Sequence, residues 1–293
     1  MSVDVSLPAV HEMGTLLEPE FHKPGGLRRH KEASKKLREE NKVKGKATAK
    51  VDVNILEASH KYALIGTLHQ QLRAIIVRWC FVWDRGVWYL PNANYTRCWE
   101  ELNPVLEKVE EAHAGFLADY DHLKILWEER GGDLAHGFPF PSKEELSRKL
   151  WVAIKPGIPV DPDDVRCGGL NAEQREHFEK ETRKNEQRRY SGCVDQLRDK
   201  TLKRCEHAIE ALKNEKGKES DSMLEHFRFL ADQLGDMNIT HDPVVEEVRE
   251  RLLKNICPLD SETLRATPEL RKKTGKTLED IKGRLGAFGK SRS

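Results

Sequence analysis

Short groups of residues that could carry catalysis or hold a ligand are the first features to test. Thr274-Gly275-Lys276-Thr277 resembles the end of a phosphate-binding loop, whose backbone N–H groups cradle phosphates. The first glycine of that motif would fall on Leu270, and no apolar strand precedes it. His30-Lys31-Glu32 has the spacing of half a deaminase zinc motif, but the chain has no Pro-Cys-x-x-Cys segment. Neither group therefore predicts a nucleotide or zinc site.

Cys193, Cys205 and His207 are the nearest approach to a set of metal ligands. Zinc sites usually contain pairs of cysteines two to four residues apart, and this chain has no such pair. Asp119 and Asp121 fall two residues apart on a predicted helix, and side chains at that spacing do not face one another. We therefore expect no catalytic residue, no cofactor and no metal, and a protein that is not an enzyme.

The strongest pattern in the chain is a run of large side chains between residues 102 and 127. Its members are alternately four and three residues apart, so they line one side of a helix. His113 interrupts the run, where a polar side chain can set the register or find a buried partner. The candidate packing seam consists of Leu102, Leu106, Val109, Phe116, Tyr120, Leu123 and Trp127. We expect an antiparallel helix around residues 194–212 to pack against it.

The composition favours long helices with thin cores. Charged residues make up 34% of the chain and apolar residues 38%, whereas average globular chains have roughly 25% charged residues. Val87–Leu90 and Leu150–Ile154 are the two clear β-prone stretches, and they could pair with each other. We therefore expect a mainly α protein, an elongated helical coiled-coil hairpin or bundle with a small two-stranded β element.

Local composition divides the chain into four segments. We expect a basic, largely disordered N-terminal arm over 1–50, a helical coiled-coil core with the short β element over 51–216, C-terminal helices over 217–264, and a basic helix or tail over 265–293. No apolar run reaches the roughly 18 to 20 residues that a membrane span needs. Residues 1–20 contain no Lys or Arg for a secretion signal. These features predict a cytoplasmic protein with no membrane contact.

Positive charge is concentrated at the two ends of the chain. Residues 22–50 hold eleven Lys or Arg against three Glu, and residues 265–293 hold nine Lys or Arg against three acidic residues. Basic segments attract anionic partners such as nucleic-acid backbones, although solvated tails have the same composition. The candidate nucleic-acid contacts are Arg28, Arg29, Lys35, Lys36, Arg38, Arg271, Lys272 and Lys273.

From about Val51 to Leu212, the order of features resembles an uncharacterised family of phage and prophage helical proteins. The resemblance rests on the stretch Gly86 to Pro91, on Phe116 to Asp121 followed by Trp127, and on Arg148 to Pro156. Genes of that family often lie near those of a MoxR-type AAA+ ATPase and a von Willebrand A-domain protein. The resemblance implies a phage or prophage accessory protein in the host cytoplasm, and it supplies no catalytic residues.

Two functions are consistent with these features. The leading hypothesis is a non-enzymatic accessory protein that binds another protein, or itself, through the coiled-coil hairpin, with an AAA+ ATPase system as the partner that the resemblance suggests. The alternative is a nucleic-acid-associated protein that uses its basic ends in phage DNA replication, protection or packaging. An enzyme of unrecognised type comes third. A protein partner should depend on the helical body, whereas nucleic acid should depend on the ends.

Overall fold

A computed structural model describes residues 13–43, 49–54, 56, 59–135, 140–159, 171–213, 221–238 and 242–289. It is mainly helical and contains a small four-stranded antiparallel sheet, which confirms the mainly α class. The strands are β1 (Gly14–His22), β2 (Leu27–Arg29), β3 (Asp52–Asn54), β4 (Phe81–Asp84), β5 (Val87–Pro91) and β6 (Trp151–Gly157). The helices are α1 (Lys31–Glu40), α2 (His60–Trp79), α3 (Tyr95–Arg130), α4 (Lys143–Lys149), α5 (Ala172–Lys213), α6 (Asp221–Met237), α7 (Pro243–Asn255), α8 (Ser261–Ala266) and α9 (Pro268–Gly289).

The sheet has the strand order β4-β5-β1-β6, so the expected two-stranded element is wrong. The two predicted stretches do form strands β5 and β6, but β1 lies between them. Gly14 of β1 pairs with Pro91, and Leu17 pairs with Trp88. Adding a Cβ atom to Gly14 would bring it within 2.2 Å of the Tyr89 ring. A glycine at this position therefore allows β1 to pack closely against β5.

Strand β4 begins just after α2, where the spacing of tryptophans by itself would continue the helix. The four-residue step from Trp79 to Trp83 continues the helical pattern of the preceding residues, but α2 ends at Trp79 and Trp83 lies in β4. Gly86 closes the β4–β5 hairpin with a φ of +80°, a conformation that glycine adopts without steric cost. The aromatic residues of this stretch fit a strand as well as a helix, so their spacing alone does not decide between the two.

The chain divides into two compact units, each assembled from stretches that are distant in sequence. Unit 1 contains residues 1–17, 79–95 and 156–293, and unit 2 contains residues 18–78 and 96–155. In unit 1, helix α9 packs along α5. The buried side chains of that core include Leu197, Cys205, Leu212, Phe227, Val248, Leu278 and Ile281.

In unit 2, helices α2 and α3 run antiparallel. Lys61 Nζ lies 2.9 Å from Asp119 Oδ2 near one end of α2, and Arg78 Nη1 lies 2.9 Å from Glu101 Oε2 near the other end. Between them, the Phe116 ring contacts the Tyr62 ring with 5.7 Å between centroids. The seam helix therefore packs against α2. Its expected partner, residues 194–212, belongs to α5 in unit 1 and packs against α9 instead.

The seam is buried along its middle and partly exposed elsewhere. Leu102, Val109, Phe116 and Tyr120 are buried, whereas Leu106, Leu123 and Trp127 are partly exposed. The structure packs the middle of the seam against α2, whereas the expected partner is the helix around residues 194–212. Helix α2 has its own apolar side and precedes α3 in the chain, separated only by the β4–β5 hairpin, so packing it against α3 closes a short loop at little entropic cost. A coiled-coil geometry stays a prediction.

His113, which interrupts the seam, meets His69 of α2. The two ring centroids are 6.0 Å apart and the rings are nearly perpendicular. Burial lowers the pKa of His69 to about 4, and the neighbouring His113, Arg73 and Lys23 act in the same direction. Burial also lowers the pKa of His113. Both imidazoles are therefore neutral at pH 7, which allows them to lie between the helices.

The substitution Phe116→Asp should lower the melting temperature markedly. It removes a fully buried aromatic side chain, a loss that costs about 3–5 kcal/mol for Phe→Ala, and it buries an unpaired carboxylate. The measurement is thermal unfolding followed by circular dichroism. Ala114→Asp is the matched control, because Ala114 is exposed on the same helix. An unchanged melting temperature for the Phe116 variant would contradict the seam.

The substitution His69→Phe should reduce the loss of stability on acidification. The unfolded chain takes up a proton at His69 near pH 6.5, whereas the folded chain does so only near pH 4, so stability falls as the pH drops between these values. The phenyl ring cannot take up a proton. Urea midpoints at pH 7 and pH 5 measure the effect, and His122→Phe, at an exposed position of α3, is the control. Equal pH dependence in all three proteins would be inconsistent with a buried neutral His69.

Candidate interaction surfaces

The solvent-exposed side of α2 is almost uncharged. Between Lys61 and Arg78, Arg73 is the only Lys, Arg, Asp or Glu, although such residues make up 34% of the chain. The exposed positions repeat at intervals of three and four residues, so they form one continuous surface on the helix. This surface, here named the α2 face, consists of Ala63, Leu64, Thr67, Gln70, Gln71, Ala74 and Val77.

The α2 face exposes apolar side chains that a solvent-facing helix would usually replace by charged ones. Leu64 is 39% exposed and Val77 is 46% exposed. The cores of protein–protein interfaces are depleted in charged residues, as this face is. The apolar spacing that predicts the α3 seam does not predict this surface. The signal that could have revealed it is the low charge of residues 62–77.

A groove of about 260 Å³ between α2 and α3 borders the α2 face. Leu64, Leu68 and Ala112 give it apolar walls, and Gly115 leaves room by having no side chain. Lys61 lies at one end, where its Nζ atom is 3.4 Å from the Gly115 carbonyl oxygen. The apolar surface of the α2 face therefore continues into a shallow depression with a charged rim.

The N-terminal basic residues belong to a folded lobe formed by β2, α1 and β3. Strands β2 and β3 pair antiparallel. The buried Ser34 hydroxyl donates to the His30 carbonyl oxygen at 2.6 Å and accepts from the Val51 N–H at 2.9 Å. The expectation of a largely disordered arm is therefore wrong for residues 14–40. Hydrogen bonds of polar side chains such as Ser34 stabilise this lobe. A search of the sequence for apolar patterns does not detect such hydrogen bonds.

Three cations follow one side of α1, and a fourth lies just beyond its C-terminal end. Lys31, Lys35, Arg38 and Lys42 are four, three and four residues apart, and all are exposed. Lys35 makes a long contact of 3.8 Å with Glu39, between side chains that are mostly exposed. Such surface pairs stabilise little, but the Glu39 carboxylate still offsets part of the positive charge beside it. We name these four residues the α1 stripe.

The predicted nucleic-acid contacts near the N-terminus are divided between surfaces. Lys35 and Arg38 lie in the α1 stripe, whereas Lys36 is exposed on a different side of α1. Arg28 lies in β2, opposite Val53. Arg29 Nε lies 3.7 Å from Asp52 Oδ1. The structure therefore brings only part of the predicted set onto one surface.

The predicted contacts near the C-terminus lie in α9, in unit 1. Lys272 and Lys273 are exposed, and Arg271 donates to the Arg265 carbonyl oxygen at 3.2 Å. Farther along α9, Lys282 pairs with Glu206 of α5 at 2.9 Å. Part of the positive charge of α9 is therefore paired with α5, while Lys272 and Lys273 are exposed.

The buried ionisable groups of unit 1 are held in unreactive forms. Burial raises the pKa of Cys193 and of Cys205 to about 12, so both are thiols at neutral pH and lack the nucleophilic thiolate form. His207 lies exposed on α5, away from the buried thiols. Among the residues that the structure describes, no three His, Cys, Asp or Glu side chains are arranged to hold a metal ion.

A buried carboxylate on α5 joins that helix to the sheet. Burial raises the pKa of Glu186, while hydrogen bonding from Arg189 opposes the shift. Arg189 donates to Glu186 Oε1 and to Asp84 Oδ2 of β4, each at 2.8 Å. Perturbed carboxyl groups are common in active sites, but here the guanidinium group accounts for the burial. We therefore assign Glu186 a structural role.

Within the described ranges, every helix is too short or too polar to cross a membrane. The surfaces with features of binding sites are the α2 face, the α1 stripe and a groove between α5 and α6. The chain matches no protein-family model, no curated protein and no solved structure.

Proposed function

We propose that the protein is an accessory protein that binds a helical protein partner through the α2 face. The observation that carries this proposal is an uncharged, partly apolar surface on a helix of a highly charged chain. Its small side chains Ala63, Thr67 and Ala74 allow a second helix to approach closely, and Leu64 and Val77 supply apolar anchors. The three- and four-residue spacing suits a partner helix with an apolar stripe of its own.

In this proposal the α2 face binds the partner protein, whereas the leading hypothesis from the sequence assigns that binding to the coiled-coil hairpin. Helix α2 covers the middle of the α3 seam, where Val109 and Phe116 are fully buried. Those side chains are therefore not available to a partner, whereas Leu64 and Val77 on the opposite side of α2 are exposed. The family resemblance suggests a MoxR-type AAA+ ATPase encoded near the same gene as the first partner to test.

Ala74→Glu should weaken partner binding by about tenfold or more, because the interface would have to desolvate an unpaired carboxylate. Glu is a good helix former and position 74 is exposed, so the fold should be retained. The measurement is the affinity for the purified ATPase, with melting temperature as the check on folding. Ala118→Glu, at an exposed position of α3, is the control.

The affinity measurements distinguish an error in the proposed surface from an error in the proposed partner. Equal affinity of the Ala74 variant and the wild-type protein would exclude the α2 face as the binding site for this ATPase. If the wild-type protein does not bind the ATPase, the partner suggested by the resemblance is wrong. Sedimentation over a range of concentrations then tests whether the α2 face binds a second copy of the chain, which Ala74→Glu should prevent.

The α1 stripe supports a second candidate function, which is nucleic-acid binding. The three exposed cations on one side of α1, with Lys42 just beyond the helix, can contact successive phosphates. Such binding is electrostatic and not specific for sequence. Truncation of the protein to residues 51–264 is a poor test of this function. The truncated chain lacks β1, the strand between β5 and β6, so its failure to bind could result from misfolding.

Lys35→Glu combined with Arg38→Glu should lower the affinity for duplex DNA by about tenfold or more and should make its dependence on salt less steep. Both positions are exposed, so the fold should be retained. Filter binding at several salt concentrations measures the effect, and Lys272→Glu combined with Lys273→Glu is the matched control. If only the control pair loses DNA binding, α9 is the binding surface. If neither pair changes it, both predicted sets of contacts are wrong.

A further inference from the structure

A groove of about 410 Å³ lies between α5 and α6 in unit 1. This volume falls within the range of small-molecule sites, roughly 300–1,000 Å³. Lys203, Arg204 and His207 line it from α5, and His226 lines it from α6. No Asp or Glu is among the described residues that line it. The groove therefore offers several hydrogen-bond donors, two of them permanently charged, to an anionic group.

The acidic side chains near the groove are engaged with other partners. Glu206 of α5 pairs with Lys282 of α9 at 2.9 Å, and this pairing lowers the pKa of Glu206. Asp221, at the start of α6, accepts a hydrogen bond from the Ser261 hydroxyl. Both carboxylates have partners on α8 or α9, although the charge of Glu206 also acts on Lys203 and His207.

The floor of the groove is apolar. Ala208 and Phe227 are each 3% exposed and belong to the main core of unit 1, and the partly buried Met223 packs against the same core. Arg204 extends across from α5, where its Nη1 atom lies 3.5 Å from the His226 carbonyl oxygen. A flat apolar group could rest on this floor while an anionic group meets the donors at the rim.

We infer that this groove binds a small aromatic phosphate, with the ring on the floor and the phosphate group at Lys203, Arg204 and His207. The first turn of α6 contributes Ser222 and Met223 to the lining, and the positive end of the helix dipole favours negative charge there. Inorganic phosphate would use only the rim, and a neutral aromatic compound would use only the floor. The groove shares no residue with the α2 face or the α1 stripe.

Calorimetric titration of the full-length protein tests the inference with adenosine monophosphate and phenyl phosphate as probes. Adenosine and inorganic phosphate are the partial ligands. We expect at least one aromatic phosphate to bind about tenfold or more tightly than either of its parts, because it uses both the rim and the floor. Lys203→Glu should weaken that binding by about tenfold or more. Lys180→Glu, at an exposed position of α5 outside the groove, should not.

Each outcome of the titration either supports or overturns the inference that the α5–α6 groove binds an aromatic phosphate. Absence of binding by both aromatic phosphates overturns the inference. Binding of inorganic phosphate as tightly as its aromatic esters also overturns it, because the floor then contributes nothing. Equal effects of the Lys203 and Lys180 variants would place the ligand elsewhere on the protein. Melting temperatures of the two variants identify any loss of affinity that comes from unfolding, and His207→Glu then provides a second test at the rim.

Discussion

The packing of the α3 seam against α2 is the contact on which the proposed binding surface depends. Val109 and Phe116 are fully buried, and burying a side chain of this size contributes about 1.5–3 kcal/mol. Because α2 commits one side to this contact, its other side must face solvent or a partner. The low charge of that other side is therefore not required by the packing of unit 2, and this is why we assign it a role in binding.

Pairing of charges distinguishes the basic regions from one another. The cations of α9 include Lys282, which the Glu206 carboxylate of α5 neutralises. Lys31 and Arg38 of the α1 stripe remain exposed on a helix that projects its charges into solvent. The same pairing of Glu206 leaves the α5–α6 groove with a basic rim. One ion pair therefore weakens α9 as an anion-binding surface and favours the groove.

Burial or pairing sets the charge state of several ionisable groups. Cys193 is held as a thiol, His69 as a neutral imidazole, and Glu186 against a guanidinium group. Burial keeps the thiol and the imidazole uncharged at neutral pH, and the Arg189 guanidinium group pairs with Glu186.

The sequence by itself determined the mainly helical class and the strand character of Val87–Leu90 and Leu150–Ile154, because these depend on local periodicity and composition. Tertiary structure alone decided which helix covers the seam, the position of β1 between β5 and β6, and the folding of the lobe around Ser34. The α2 face and the α5–α6 groove belong to the second group as well. A periodic pattern shows that a side chain must be covered, but what covers it depends on contacts between residues far apart in the chain.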